Sequence, residues 1–353
     1  MKRKSVTIKE VAELAGVSTT TVSYVINNTG FVSKETRAKV INAINKLGYR
    51  PNIVARSLRS RKTGTVGLII CDLRNPFFAE VLWGIETYLG KRGYNLIVAD
   101  TDYDPNKEEE SAEMFYSKQV EGVIIVPGGG KDEYVRFLKG RNIPVVLLDK
   151  RVQDLDVDVV LVNNIEGSRQ LVEHLVSLGH ERIGIIAGPL ASTTGRERLE
   201  GYLQALRKHS IPEDKELIKI GDFRKQSGYL LTLELLSLAL PPTVIFACNN
   251  LMGLGAMEAL NERKIRIPEE VGLVIFDDLP WFRYINPPLT TVAQPSFKLG
   301  EVAAELLMSQ IIRRRKKPRE VVLDVQLKVR QSAGEALKSP GSFLKTAFGN
   351  KSQ

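Results

Sequence analysis

Beyond Gly64 the sequence alternates short, uninterrupted apolar runs with longer amphipathic stretches, and this alternation restricts the fold more than any other feature. Val66–Cys71 (VGLIIC), Asn95–Ala99, Gly122–Pro127, Pro144–Asp149, Asp158–Val162 and Ile183–Ala187 read as strands. So do a run near Leu217–Gly221, Thr243–Cys248 and Val274–Phe276. Helical stretches over 77–92, 106–118, 131–139, 165–178, 196–208, 225–237 and 251–262 fall between them. Strands that are apolar throughout are covered on both faces, which predicts parallel sheets sandwiched by helices. About ten such strands exceed one comfortable sheet, so two doubly wound subdomains are expected.

In sheets of this kind ligands lie outside the carboxyl ends of the strands. Those ends are rich in polar and aromatic residues here. The first strand leads to Asp72 and Asn75-Pro76-Phe77-Phe78, and another ends in Asp149-Lys150. Ile183–Gly188 leads towards Arg196 and Arg198; later ends carry Asp222-Phe223, Asn249-Asn250 and Asp277-Asp278, and Gln294 lies in the connection Thr291–Pro295. Singly, Asp and Asn at such places are turn and cap formers. Their recurrence at successive strand ends points to one shared cleft. Aromatic faces with Asn, Asp, Arg and Gln suit a neutral polyhydroxyl ligand, which needs stacking surfaces and paired donors and acceptors.

The first 63 residues follow other rules. Thr7–Asn27 reads as two short helices broken by a tight turn. Thr7 and Glu10 form a capping box, Gly16 supplies the left-handed stop, and Ser18 caps the second helix. That helix buries Val22, Val25 and Ile26 and turns Thr19, Thr20, Ser23, Tyr24 and Asn27 outward, the pattern of a DNA-reading helix-turn-helix. An ordinary helical hairpin shares the same periodicity, so the surroundings decide. Ser33 caps a third helix, Lys34–Leu47, stopped by Gly48. Residues 1–63 carry 13 Lys and Arg against three acids, a balance of +10, leaving −1 for the remainder of a chain whose total is +9. A strongly basic head on a near-neutral body fits polyanion binding joined to another task. After Pro51 and Asn52, Ile53–Ser60 (IVARSLRS) reads either as a linker or as a helix that orders on DNA. In the second reading Arg56 meets phosphate and Leu58 wedges into a base step.

Several function classes are disfavoured. No window approaches the roughly 18 unbroken apolar residues of a membrane span, and MKRKSVTIKE lacks the apolar core of a signal peptide. Cys71 and Cys248 fall in apolar runs and read as buried thiols of a reducing, cytoplasmic compartment. His174, His180 and His209 show no metal-ligand spacing, and His180 reads as structural. Gly128-Gly129-Gly130 lacks the Lys-Ser/Thr of a phosphate loop. RRRKK at 313–317 reads as a basic helix terminus after the amphipathic stretch 297–312. No nucleophilic triad is apparent, which argues against an enzyme. A transport binding protein would need a leader and no basic head.

With these residues in view, the chain resembles the lactose/galactose-repressor family of bacterial transcription regulators. The resemblance runs from about Val6 to about Arg330 and rests on TIKEVAELAGVSTTTVSYVIN, VSKETRAKV, LGYRPN, ARSL, NPFF, RLEGY, FDDLP and PPLTTVAQP. It implies an all-α helix-turn-helix headpiece (1–50), a hinge helix (51–63), a periplasmic-binding-protein-like α/β core (64–332) and a tail (333–353). The core would comprise an N-subdomain of about 64–163 and 294–323 and a C-subdomain of about 164–293 and 324–332. Crossings would fall near Asn163-Asn164, Ala293-Gln294 and Leu323-Asp324. A homodimer on a pseudo-palindromic operator is implied, with no cofactor, metal or membrane. By the resemblance, Thr19, Thr20 and Tyr24 read bases, and Ser18, Thr21, Ser23 and Asn27 hold phosphates or neighbouring structure. Thr7 and Arg56 join the DNA-contacting set, and Leu58 enters the minor groove. Tyr24 stands where many relatives carry Arg, so the half-site differs in kind. Asn75, Phe77, Phe78, Asp149, Arg198, Phe223, Asn249, Asp277 and Gln294 match effector-contacting positions, with Phe78 and Phe223 sandwiching a sugar ring. Lys150 replaces a common Arg, and Asn250 the usual Asp. A purine or phosphorylated-sugar effector is the alternative, and induction and corepression are both compatible. The tail shows no leucine heptad, which predicts a dimer rather than a tetramer.

Overall fold

The computed structural model describes residues 6–49, 63–130, 132–313 and 317–334. Two compact units divide at Thr63/Gly64. The proposed hinge residues Arg56 and Leu58, the centre of the RRRKK run and nearly all of the tail lie outside the described residues.

The first unit is a three-helix bundle of α1 (Ile8–Ala15), α2 (Thr19–Asn27) and α3 (Lys34–Leu47). The capping box is formed: the Thr7 N–H donates to Glu10 Oε2 at 2.6 Å, and the Glu10 N–H donates back to Thr7 Oγ1 at 3.4 Å. Gly16, Asn28 and Gly48 end the three helices in the left-handed conformation. Val11, Ala12, Ala15, Val22, Val25, Val40 and Ala43 make a small shared core.

The second unit is α/β and holds two sheets. In chain order its N-subdomain elements are β1 (Thr65–Ile70), α4 (Pro76–Gly90), β2 (Asn95–Asp100), α5 (Pro105–Ser117), β3 (Val123–Ile125), α6 (Glu133–Gly140), β4 (Val145–Leu148) and β5 (Asp158–Val162). Then follow α7 (Asn164–Ser177), β6 (Ile183–Ala187), α8 (Thr193–Lys208), β7 (Ile218–Ile220), α9 (Lys225–Leu236), β8 (Val244–Ala247), α10 (Asn250–Glu262), β9 (Gly272–Phe276) and β10 (Thr290–Ala293). The chain closes with α11 (Ser296–Arg313), β11 (Glu320–Leu323) and β12 (Gln326–Lys328). One sheet runs β11-β5-β4-β3-β1-β2 and the other β12-β10-β9-β8-β6-β7. All pairings are parallel except β10 with β12. The two sheets therefore repeat one order, with β4 corresponding to β9 and β2 to β7. The chain passes between them after β5, after β10 and after β11.

The interior strands are buried along their length except Thr65 at the start of β1 and Ala293 at the end of β10, as unbroken apolar runs require. β10 (TTVA) has no such run and reads in sequence only as part of the connection Thr291–Pro295. Ile70, Val81, Ile85, Ile124 and Leu307 pack on one face of the first sheet, and Phe115, Val123, Ile125 and Leu138 on the other. Phe246, Phe276, Tyr202 and Leu260 belong to the core of the second. Both cysteines are free and fully buried. His180 is structural, with Nδ1 2.8 Å from Thr243 Oγ1 and Nε2 3.1 Å from the Ala333 carbonyl. The helix expected over 196–208 begins earlier, at Thr193 after the extended Ser192, and the edge strands β11 and β12 lack an apolar run to announce them.

Candidate functional site

The nine effector positions implied by the resemblance all line one cavity in the second unit, whereas the strand-end residues Asp72, Arg196, Asp222 and Asp278 do not. The N-subdomain side begins at Asn75. Its Oδ1 accepts the Phe77 N–H at 3.0 Å, capping α4, and Pro76 occupies the first turn, where its missing N–H costs nothing. Phe77 and Phe78 follow as a buried edge-to-face pair with centroids 5.0 Å apart. Asp149, just past β4, adopts φ 70 instead of continuing the strand, which ends at Leu148.

Across the cleft, Asn249 caps α10 by accepting the Met252 N–H at 2.9 Å, and its Nδ2 donates to the Phe223 carbonyl at 2.9 Å. Phe223 is held at φ 67, a conformation that bulky side chains seldom adopt. Its ring is accommodated because Gly188 has no Cβ: one there would lie 2.1 Å from Phe223 Cζ. Arg198 is buried, with Nε donating to Asn164 Oδ1 at 2.9 Å, Nη1 donating to the Cys248 carbonyl at 2.6 Å, and Cζ 3.8 Å above the Phe276 ring. Two donors are thereby committed, and the residue lines the cavity. Asp277, at φ 85, accepts from the Asn250 N–H at 3.0 Å and from Gln294 Nε2 at 2.5 Å.

Burial pushes the Asp277 carboxyl up from its ordinary 3.8 to about 6, with Arg198 and the two hydrogen bonds opposing the rise. Burial also raises Asp149, against the charges of Lys150 and Arg198. Lys150 is itself buried and donates to the Pro127 carbonyl at 2.8 Å. The lining thus sets two carboxylates against two cations.

Tyr103, Lys150 and Thr194 also line the cavity and were not in the predicted set. Lys150 was marked in sequence as a strand-end residue and a substitution, without a role at the ligand. Tyr103 lies three residues past β2, at φ 59, a strand end like the others that went unread. Thr194 had no signal.

Contacts between the subdomains close this cleft. Asn250 Nδ2 donates to Asn75 Oδ1 at 2.8 Å, and Arg224 Nη2 donates to the Asp102 carbonyl at 3.0 Å and lies 3.1 Å from Asp102 Oδ1. Arg151 pairs with Glu197 at 2.7 Å. Asn250 therefore acts as a bridge across the cleft and is absent from the lining. Asn75 Oδ1 already accepts from Phe77, so Asn250 must turn its amide nitrogen towards it, and its own Oδ1 has no partner.

In the first unit, Thr19, Thr20 and Tyr24 are exposed on α2, while Thr21 and Ser23 are half-buried. Ser18 Oγ accepts the Thr21 N–H at 3.1 Å and lies 2.9 Å from Thr21 Oγ1, so these two side chains engage each other at the helix start. Thr7 is occupied by its capping box. Ser23 is more enclosed than the outward position expected for it.

Comparison with known proteins places this geometry. The family of bacterial regulatory proteins, lacI family, matches residues 7–52, and the periplasmic binding protein-like domain matches 172–333. The chain is 36% identical over 327 residues to the HTH-type transcriptional repressor PurR of Mannheimia succiniciproducens, covering 92% of this chain and 98% of that one. A lac repressor dimer bound to operator and an anti-inducer superposes with a TM-score of 0.83 at 30% identity, covering 94% of this chain and all of the other. A LacI-family regulator from Enterococcus faecium with bound ribose superposes with a TM-score of 0.68 at 32% identity, over 78% of this chain and all of the other. A helix-turn-helix unit, a core of two like-ordered sheets and these matches along nearly the whole chain agree: the protein belongs to the lacI family of bacterial DNA-binding transcription regulators.

Proposed function

We propose that the protein is an operator-binding repressor whose affinity for DNA is set by a neutral monosaccharide held between the subdomains of residues 64–332. The observation that carries this reading is the lining of the cleft. Asp149 and Asp277 balance Lys150 and Arg198, and buried aromatic rings supply stacking surfaces. Buried carboxylates are acceptors for hydroxyls, whereas a phosphate beside two of them would meet like charge. The ribose-bound neighbour supports the same class.

In this reading Phe78 and Phe223 flank the ring, Asp149, Arg198, Asn249 and Asp277 take hydroxyls, and Asn75, Phe77 and Gln294 complete the site. Effector binding favours the closed cleft by its differential affinity for that state, and closure alters the operator-bound form. The operator is read by Thr19, Thr20 and Tyr24, with Ser18 at the phosphate-facing start of α2, in a homodimer such as the operator-bound lac repressor forms. The chain acts where its operator lies, in the cytoplasm, and among the described residues no helix is long and apolar enough to cross a membrane.

The test is a thermal-shift screen of the full-length protein against pentoses, hexoses, their phosphates and purines. A ligand at a hundred times its Kd stabilises by about 2.7 kcal/mol. An unphosphorylated monosaccharide is expected to raise the Tm and to change operator affinity in a gel shift. The sugar reading fails if only purines or phosphorylated compounds do so; the PurR relative makes purines the pointed comparison.

A further inference from the structure

We propose that the loop after α2 carries a second base-reading aromatic, Phe31, and that Tyr24 and Phe31 together select thymine methyl groups in the operator half-site. This rests on the operator-binding reading above. Phe31 is 99% exposed, whereas Val32 beside it packs on the headpiece core. A lone exposed apolar side chain is ordinarily without meaning, but this one is placed by a specific backbone path. Asn28 ends α2 at φ 54, and the Thr29 N–H returns to the Tyr24 carbonyl at 3.0 Å. The chain then passes Gly30 at φ 72, where a Cβ would lie 3.0 Å from the Tyr24 ring. The loop is thus folded back against Tyr24, itself 43% exposed, and delivers Phe31 to the same end of the reading helix.

Charge sharpens the assignment. Residues 1–63 hold 13 Lys and Arg, yet no charged residue lies between Tyr24 and Lys34. Phosphate neutralisation falls to other parts of the unit, and this end offers apolar surface. In the major groove the one apolar group that a base pair presents is the thymine C5 methyl. Two aromatic rings with no cation between them are therefore matched to thymine, where an arginine fork would take guanine.

The experiment removes that methyl alone. An operator is selected from randomised half-sites with the full-length protein, and each thymine is then replaced by uracil in a gel-shift titration. Burying one carbon's worth of apolar surface corresponds to about fourfold in affinity, so one or two positions are expected to lose about that factor. Phe31→Ala should abolish the uracil effect at one position and Tyr24→Ala at another, while Tyr24→Phe retains it. Gly30→Ala drives a Cβ against the Tyr24 ring and strains the left-handed step that leads to Phe31, so it should blunt both positions. The proposal is overturned if no uracil replacement weakens binding, or if Phe31→Ala shows the wild-type losses. It is equally overturned if Phe31→Ala lowers the headpiece melting temperature, since an exposed ring should not hold the fold. A protein that selects no sequence at all would instead remove the operator-binding reading, and this inference with it.

Discussion

Replacing Asp277 with Asn should flatten the acid side of the stability profile while sharply weakening effector binding. The carboxyl is 4% exposed, and its pKa is raised to about 6 from an ordinary 3.8, first by burial. A raised carboxyl means that the native state binds more protons than the unfolded chain, so stability falls as pH rises through this window. At about 1.36 kcal/mol per pH unit, and with the unfolded carboxyl already largely ionised at pH 4, this group makes the native state roughly 2 kcal/mol less favourable at pH 7 than at pH 4. Asparagine removes that term, and the local bonding can accept it. Its Oδ1 can keep the Asn250 N–H, and its Nδ2 can donate to Gln294 Oε1, a buried atom without a partner, once the Gln294 amide is turned. The unliganded variant should therefore melt at or above the wild type at pH 7.5 and below it near pH 4. Loss of a charged acceptor should weaken the sugar by about 1.5–3 kcal/mol, or roughly ten- to a hundredfold. Denaturant unfolding from pH 4 to 7.5 tests the first part and calorimetric titration the second. Parallel stability curves for the two proteins would refute the assignment of a buried, proton-hungry carboxyl.

Three further substitutions separate the parts of the cleft. Gly188→Ala places a Cβ 2.1 Å from the Phe223 ring; overpacking of this kind costs about 1–3 kcal/mol, so effector Kd should rise about tenfold or more, and a titration within twofold of wild type would show that the ring moves freely. Asn250→Ala removes a buried bond between the subdomains while Asn75 Oδ1 keeps the Phe77 N–H; such a bond contributes about 0.5–1.5 kcal/mol, so the effector should weaken about two- to twelvefold. Arg224→Ala breaks a bridge whose arginine is 41% exposed, where pairs contribute under about 1 kcal/mol; if it proves the more damaging of the two, closure is electrostatic and the ranking here is wrong.

The alternation that opens the sequence made the two-sheet core legible, because interior strands of a parallel sheet must be apolar on both faces. It said little about edges. β11 (Glu320–Leu323) shows exposed and half-buried residues in turn, and β12 (Gln326–Lys328) is short and half-solvated, so neither presents a run. Within the cleft, Asn75 was readable because Asn-Pro-Phe-Phe is both a cap signal and an aromatic pair. Asn249, Asp277 and Phe223 were readable because they end strands. Thr194 was not, since nothing local marks a threonine in a first helical turn as cavity-lining. The Asn75–Asn250 bond joins residues 175 positions apart, and no pattern of local spacing reports such a contact. Sequence marked Asn250 as a substitution but left its partner unknown.

The repeated sheet order gives the cleft a further logic. Asp149 follows β4 and Asp277 follows β9, which occupy the same place in their two sheets, and each is left-handed. Each also keeps its backbone N–H on the neighbouring strand, Asp149 to the Val160 carbonyl and Asp277 to the Val292 carbonyl, both at 2.9 Å. The ladder thus continues one bond beyond the strand while the side chain is diverted into the cavity. Tyr103 and Phe223 repeat the device: each lies three residues past its strand, β2 or β7, and each is left-handed at φ 59 and φ 67. For non-glycine residues such a backbone costs about 1–3 kcal/mol apiece, and it persists only where surrounding contacts enforce it. Enforcement is visible at Phe223, whose carbonyl is held by Asn249 and whose ring is seated on Gly188. Two carboxylates and two aromatic rings, contributed pairwise by equivalent positions, converge on one cavity at the cost of four strained residues. On the proposed reading, strain placed symmetrically at the mouths of two otherwise regular sheets would fix the acceptors and stacking faces before any ligand arrives, leaving binding energy to act on the closure of the cleft.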